Sequence, residues 1–270
     1  AGFDSVRVPI RWSAHARREA PHTIEPRFFE RIDWVVEQAL ANDLLVILDL
    51  HHMTEMTAGP DLFKARWLAL WAQIAERYQD APPPVLFELP NEPHAQLTAD
   101  KWNEILPEGI ALIRQTNPTR AIIVGPTQWN SILQLHTLQL PEADRNLIVT
   151  FHYYDPFHFT HQGANWVPGA DAWLGTTWEG APTQQRAITD AFDRAAAWAA
   201  AHDRPLFMGE FGAYSRADME SRARWTAFVA RAAEERGFSW AYWEFGSGFG
   251  AYDLARGDWF EPLRNALMPP

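Results

Sequence analysis

The chain has 270 residues, 47% of them hydrophobic and 21% charged, with 15 glycines, 20 prolines and no cysteine. Such a composition supplies a sizeable core and excludes a disordered, collagen-like or disulfide-framed chain. Lys and Arg number 23 against 34 Asp and Glu, a formal net charge of −11 that sets the wrong sign of field for a phosphate backbone, so no nucleic acid partner is expected.

Without cysteine, thiolate catalysis and cysteine-based metal sites are ruled out. The opening AGFDSVRVPIRW has neither a basic region with an apolar run nor a small-residue cleavage site, and no window approaches eighteen uninterrupted apolar residues, so no membrane partner is expected. Fourteen Trp, 16 Phe and 6 Tyr exceed what core filling alone calls for and suggest stacking surfaces in a cleft.

Short apolar runs alternate with longer amphipathic segments, the pattern of parallel strands crossed over by helices. Strands are predicted at residues 5–10, 44–50, 85–89, 121–124, 147–152, 206–209 and 239–243. Helices are predicted at 28–41, 61–78, 99–115, 183–202, 217–236 and 259–267. No Gly/Ser linker interrupts the series, which reads as a single domain over 1–270. Polar residues gather at or just past the strand ends: Arg7, His51, Asn91 with Glu92, His152 with Tyr154, Glu210, and Trp243. An open doubly wound sheet would use only a few strands at one switch point. A contribution from nearly every strand favours a closed α/β barrel, the (β/α)8 TIM barrel, with its site at the C-terminal mouth. Seven strands are one short, which suggests that a first strand and helix precede the sequence in hand.

Glu92 in ELPNEPH and Glu210 in LFMGEFGAYS each follow an apolar strand. Two carboxyl groups on strand ends of one barrel suit glycoside hydrolysis, with one acid protonating the departing oxygen and one carboxylate attacking or activating water. Asn91 offers an amide to a sugar hydroxyl beside the reacting carbon. Arg7, inside an apolar run, needs an anionic partner, and Glu210 is the natural one; Tyr154 can donate to the same carboxylate. His51, His52 and His152 invite a metal, but adjacent strand residues point to opposite faces and HExxH is absent, so no metal or cofactor is expected. Trp243 can stack on a pyranose. Residues 153–180, with Trp166, Trp173 and Trp178, read as a loop lining a groove, and Trp12, Trp129 and Phe249 are weaker candidates. Trp34, Trp67, Trp71 and Trp198 sit at helical spacing and read as core.

Taken together, RVPIRW, the His51–His52 pair, LFELPNEPH, TFHYYDPFHFTHQGANWV, LFMGEFGAYS and AYWEFGSGFGAYD resemble glycoside hydrolase family 5, in particular bacterial endo-β-1,4-glucanases of thermophile type, some of which also cleave mannan. The resemblance implies that Glu92 is the acid/base and Glu210 the nucleophile of a retaining reaction on a polysaccharide. It places Arg7, His51, Asn91, His152, Tyr154 and Trp243 in the active-site set, puts His52 and Trp178 along the substrate cleft, and implies export. Members of the family begin with a GxNxGN-like strand and a helix before the stretch that opens this sequence. Mannan or glucomannan hydrolysis is the neighbouring reading, and an impaired sugar-binding barrel is the alternative of another class. Self-association would follow if the barrel edges were open.

Overall fold

Strands and helices alternate along the computed structural model, which describes residues 2–269. Among them, β1 (Ser5–Ile10), β2 (Leu45–Leu50), β3 (Val85–Leu89), β4 (Ile122–Val124), β5 (Leu147–Tyr153), β6 (Leu206–Phe211) and β7 (Ser239–Tyr242) lie in one sheet in sequence order. The long helices are α1 (Pro26–Ala41), α2 (Pro60–Arg77), α3 (Ala99–Arg114), α4 (Pro182–His202) and α5 (Met219–Glu234), followed by the short α6 (Glu261–Leu267). Every strand and long helix expected from periodicity is present. The expected terminal helix starts late, because Trp259 instead closes a two-stranded antiparallel ribbon, Tyr252–Asp253 with Asp258–Trp259. The chain forms two compact units, one of residues 3–150 and one of Gly2 with residues 151–269.

In the first unit, β2 is buried from Val46 onward and β3 throughout, the mark of parallel strands covered on both faces. Their register sets Asp49 beside Glu88 and Pro9 beside Asp49, which brings the carboxylates of β2 and β3 to one level. Helix α1 starts with a proline and buries Ile32, Val36 and Ala39, one stripe at spacings of four and three. Helix α2 buries Trp67 and Trp71, as helical spacing predicts, and Trp71 packs against Phe87 of β3 at 5.6 Å. Trp34 departs from its predicted core role: it is 48% exposed, off the buried stripe, with the Arg31 guanidinium over its ring. Helix α3 is capped by Thr98, whose hydroxyl accepts the Lys101 N–H, and it packs against α2 through an edge-on contact of Trp67 and Trp102.

In the second unit, α4 buries Ile188, Ala191, Phe192 and Ala195. Phe192 joins Phe151 of β5 and Phe238 in a cluster with ring centroids 5.6–6.0 Å apart. Asp218 caps α5 by accepting the Ser221 N–H at 2.8 Å, and α5 buries Trp225. None of the described helices is long and apolar enough to cross a membrane.

At Gly109 the backbone of α3 lies close against α2, since a Cβ there would lie 2.2 Å from the Trp67 ring. Alanine in a helix interior normally stabilises, but here the indole, itself fully buried, has nowhere to go. Gly109→Ala is therefore expected to lower stability by about 1–3 kcal/mol, read as a reduced urea midpoint with an unchanged slope.

Candidate active site

Past the ends of β2 and β3 the ladder hydrogen bonds continue: the His51 N–H donates to the Ile10 carbonyl at 2.9 Å and the Asn91 N–H to the Leu50 carbonyl at 3.0 Å. This holds the residues after the strands as firmly as the strands themselves. Beneath them lies a buried ionic group. The Arg7 guanidinium donates from Nε and Nη2 to the two oxygens of Glu88 at 2.7 and 2.8 Å, and Nη2 also reaches Asp49 Oδ2 at 3.0 Å and Asn91 Oδ1 at 2.7 Å. Asp49 and Glu88 are fully buried. Asp49 Oδ2 additionally contacts His51 Nδ1 at 2.5 Å. Sequence reasoning found Arg7 and its need for anions but not these partners, because Asp49 and Glu88 sit inside apolar runs and read as strand interior.

Glu92 follows directly, half-buried, with a left-handed backbone at φ +52°. A β-carbon makes that conformation costly, and residues kept there against the cost cluster at functional sites. Burial pushes the Glu92 carboxyl up to about 7, with Glu88 adding to the rise and Arg7 and His94 opposing it. Burial likewise lifts Asp49 to about 7 against the attraction of Arg7. The Glu92 carbonyl accepts from His94 Nδ1 at 2.6 Å, and the His94 ring stacks on Trp129 at 4.9 Å. Trp129, which is 56% exposed, belongs to three consecutive residues with positive φ, Gln128, Trp129 and Asn130. His51 and His52 correct an expectation: both lie beyond β2, His52 with φ +51°, so strand alternation does not separate them and their rings are 4.3 Å apart. His51 is buried and His52 exposed.

The second unit holds Glu210 within β6 rather than after it, 4% exposed. Between Met208 and Phe211 the register slips: Met208 pairs with Trp240 and Phe211 with Tyr242, three steps on β6 against two on β7. A bulge of this kind re-aims the side chain it carries, and Glu210 lies inside it. The Tyr154 hydroxyl donates to Glu210 Oε2 at 2.8 Å, and His152 Nδ1 lies 3.5 Å from the same oxygen. Trp243 follows β7, its N–H donating to the Phe211 carbonyl at 2.8 Å. Gly212 makes that approach possible, because a Cβ there would meet the Trp243 carbonyl oxygen at 2.1 Å.

Trp178 does not line an open surface. It is 1% exposed, packed on Phe228 of α5 at 5.7 Å, with its N–H donated to Ser221 Oγ and its carbonyl accepting from Arg224. The loop it closes lies back on a helix, a packing that composition cannot reveal. Trp12 is also core, at 0% exposure. The exposed indole of the loop is Trp166, at 54%, amid Tyr214, Phe249 and His161 at ring distances of 4.9, 6.1 and 6.4 Å. Burial drives His161 down to about 4, so it is a neutral ring. Tyr214 and His161 went unremarked in the sequence, although the aromatic density around them was visible.

Parallel strands in sequence order, with polar and aromatic residues at or just past their C-terminal ends, are the arrangement of the α/β barrels. Comparison with known proteins narrows that class. The profile of the cellulases, glycosyl hydrolase family 5, matches residues 1–248, and the chain belongs to this family. It is 36% identical over 253 residues to Endoglucanase H of Acetivibrio thermocellus, spanning 94% of this chain but only 27% of that protein, about a quarter of its length. Structures of Thermotoga maritima Cel5A in complex with cellobiose and with mannotriose superpose with a TM-score of 0.97 at 48% identity, covering 99% of this chain and 86% of that one. The fold is thus the (β/α)8 barrel.

Two measurements follow from this geometry. Glu92 is raised above its ordinary value, so the folded state binds more protons than the unfolded one between about pH 4.5 and 7, and stability falls as pH rises through that window. Glu92→Gln is expected to raise the urea midpoint at pH 8, the advantage vanishing by pH 4. Gly212→Ala should displace the Trp243 carbonyl and cost about 1–3 kcal/mol by overpacking, read by thermal melting.

Proposed function

We propose that this chain is a retaining endo-β-1,4-glucanase that cleaves internal bonds of cellulose and related β-glucans, with Glu210 as nucleophile and Glu92 as acid/base. The observation that carries the assignment is the difference between the two carboxyl groups. Glu92 is raised to about 7 and so holds a proton near neutrality, as a general acid must. Glu210 is buried on a bulge and accepts the Tyr154 hydroxyl, which orients it for attack. Glu210 attacks the anomeric carbon while Glu92 protonates the departing glycosidic oxygen, giving a glycosyl ester. Water deprotonated by Glu92 then hydrolyses the ester with net retention. That stereochemistry requires the carboxyl groups about 5–5.5 Å apart.

The supporting residues take roles that follow from their contacts. Asn91 and His51 bind sugar hydroxyls, and His52 lies beside them. Arg7 anchors Asn91. His152 and Tyr154 hold Glu210. Trp243 stacks on the sugar that becomes esterified. Trp129, joined to Glu92 through His94, offers its exposed face to the leaving-group side.

Release of reducing ends from carboxymethylcellulose and barley β-glucan tests the reading directly. Glu210→Ala should abolish turnover, and azide should restore cleavage of an activated aryl glycoside with inverted configuration. Glu92→Ala should cost about 10²–10⁴-fold with natural leaving groups. Because Glu92 must begin protonated, kcat/KM should fall as pH rises past about 7. Glucomannan assayed in parallel separates the mannan reading, and a folded wild-type chain without turnover on any of the polymers would overturn both.

A further inference from the structure

Asp49 is fully buried, yet its hydrogen bonding is concentrated on one oxygen. Oδ2 meets Arg7 Nη2 at 3.0 Å and His51 Nδ1 at 2.5 Å, whereas Oδ1 has no hydrogen-bond partner. Arg7 is an obligate donor, so the oxygen it meets acts as an acceptor. With Asp49 ionised beside Arg7, Oδ2 can only accept, and the proton on the short contact to His51 then sits on Nδ1. The same Nη2 also donates to Asn91 Oδ1 at 2.7 Å. An amide whose oxygen is turned inward presents its NH2 outward. Glu88 grips Arg7 through Nε and Nη2 and so fixes the plane of the fork that both neighbours read.

We infer that Asp49 is a positioning residue: through Oδ2 it pins His51 by Nδ1–H and, with Glu88, holds the Arg7 fork that turns the Asn91 NH2 outward. The two residues then meet the substrate with set polarity. Nε2 of His51 faces away from Asp49, and the amide donor of Asn91 faces away from Arg7. The second nitrogen of a histidine is commonly set by the partner of the first, and such supporting partners tune a site as strongly as the groups that touch the ligand. The consequence for turnover rests on the functional reading above, in which His51 and Asn91 contact sugar; the tautomer itself does not.

The test uses the whole 270-residue chain. Long-range ¹H–¹⁵N spectra, with His51 assigned by loss of its signals in His51→Gln, should show a proton on Nδ1 in the wild type. Asp49→Asn keeps an oxygen acceptor and should keep that proton on Nδ1, with kcat/KM on an aryl cellobioside within about threefold. Asp49→Ala removes the acceptor and should release His51 toward the Nε2–H form, with kcat/KM down about tenfold. A bare Nδ1 in the wild type, or an unchanged tautomer in Asp49→Ala, would overturn the positioning role. So would a changed tautomer with undiminished kcat/KM in Asp49→Ala. An inactive wild type with Nδ1–H present and lost in Asp49→Ala would uphold the pinning and overturn the glucanase reading instead.

Discussion

A guanidinium held between two buried carboxylates is the constraint on which one side of the site depends. Arg7 comes from β1, Asp49 from β2 and Glu88 from β3, so a single cation ties three neighbouring strands at the level where their polar ends emerge. Removing two carboxylates and a guanidinium from water is costly, and the cost is offset only because the fork geometry satisfies most of the acceptors. One positive charge does not neutralise two negative ones in a dry interior. Burial consequently lifts Asp49 to about 7 and Glu92 with it, so a carboxyl group keeps its proton near neutrality without a dedicated donor. Structural and chemical requirements meet in the same cluster.

Glu210 is placed by backbone rather than by charge. The bulge in β6 inserts one residue before Phe211, and the glycine that follows lets the Trp243 carbonyl come within a distance that any side chain would forbid. A bent strand aims a carboxylate more rigidly than a loop could, since its neighbours remain in the ladder. The adjoining aromatic loop is kept firm by side-chain bonds of its own: Gln162 accepts the Gly175 N–H and donates to the Thr176 and Phe159 carbonyls. Trp166 is left standing clear while Trp178 is folded under against α5.

Much of the fold was legible because its signals are local. Apolar runs of five or six residues, separated by amphipathic stretches, locate strands and helices to within a few residues, and Pro26, Pro60 and Pro182 mark helix starts. The polar residues at strand ends were visible for the same reason, as interruptions in apolar runs. What escaped was non-local. Asp49 and Glu88 sit inside the runs that define the strands, so nothing marks them as partners of Arg7 until the strands are in register. Trp166 and Trp178 lie twelve residues apart in one glycine-rich stretch, and no periodicity tells which indole is covered. Trp34 sits at helical spacing yet faces outward, because spacing fixes relative direction but not which face of the helix meets the sheet.

The sequence by itself determined the α/β alternation, the parallel class of the sheet and the identity of the carboxylates at strand ends, since each depends on side-chain chemistry and spacing over a few residues. Only the tertiary structure decided the ionic cluster beneath His51 and Asn91, the slip of register that aims Glu210, and which aromatic rings are core and which are open. Those depend on what a side chain meets from distant segments, where burial sets the cost of a charge and close packing decides which rings are covered.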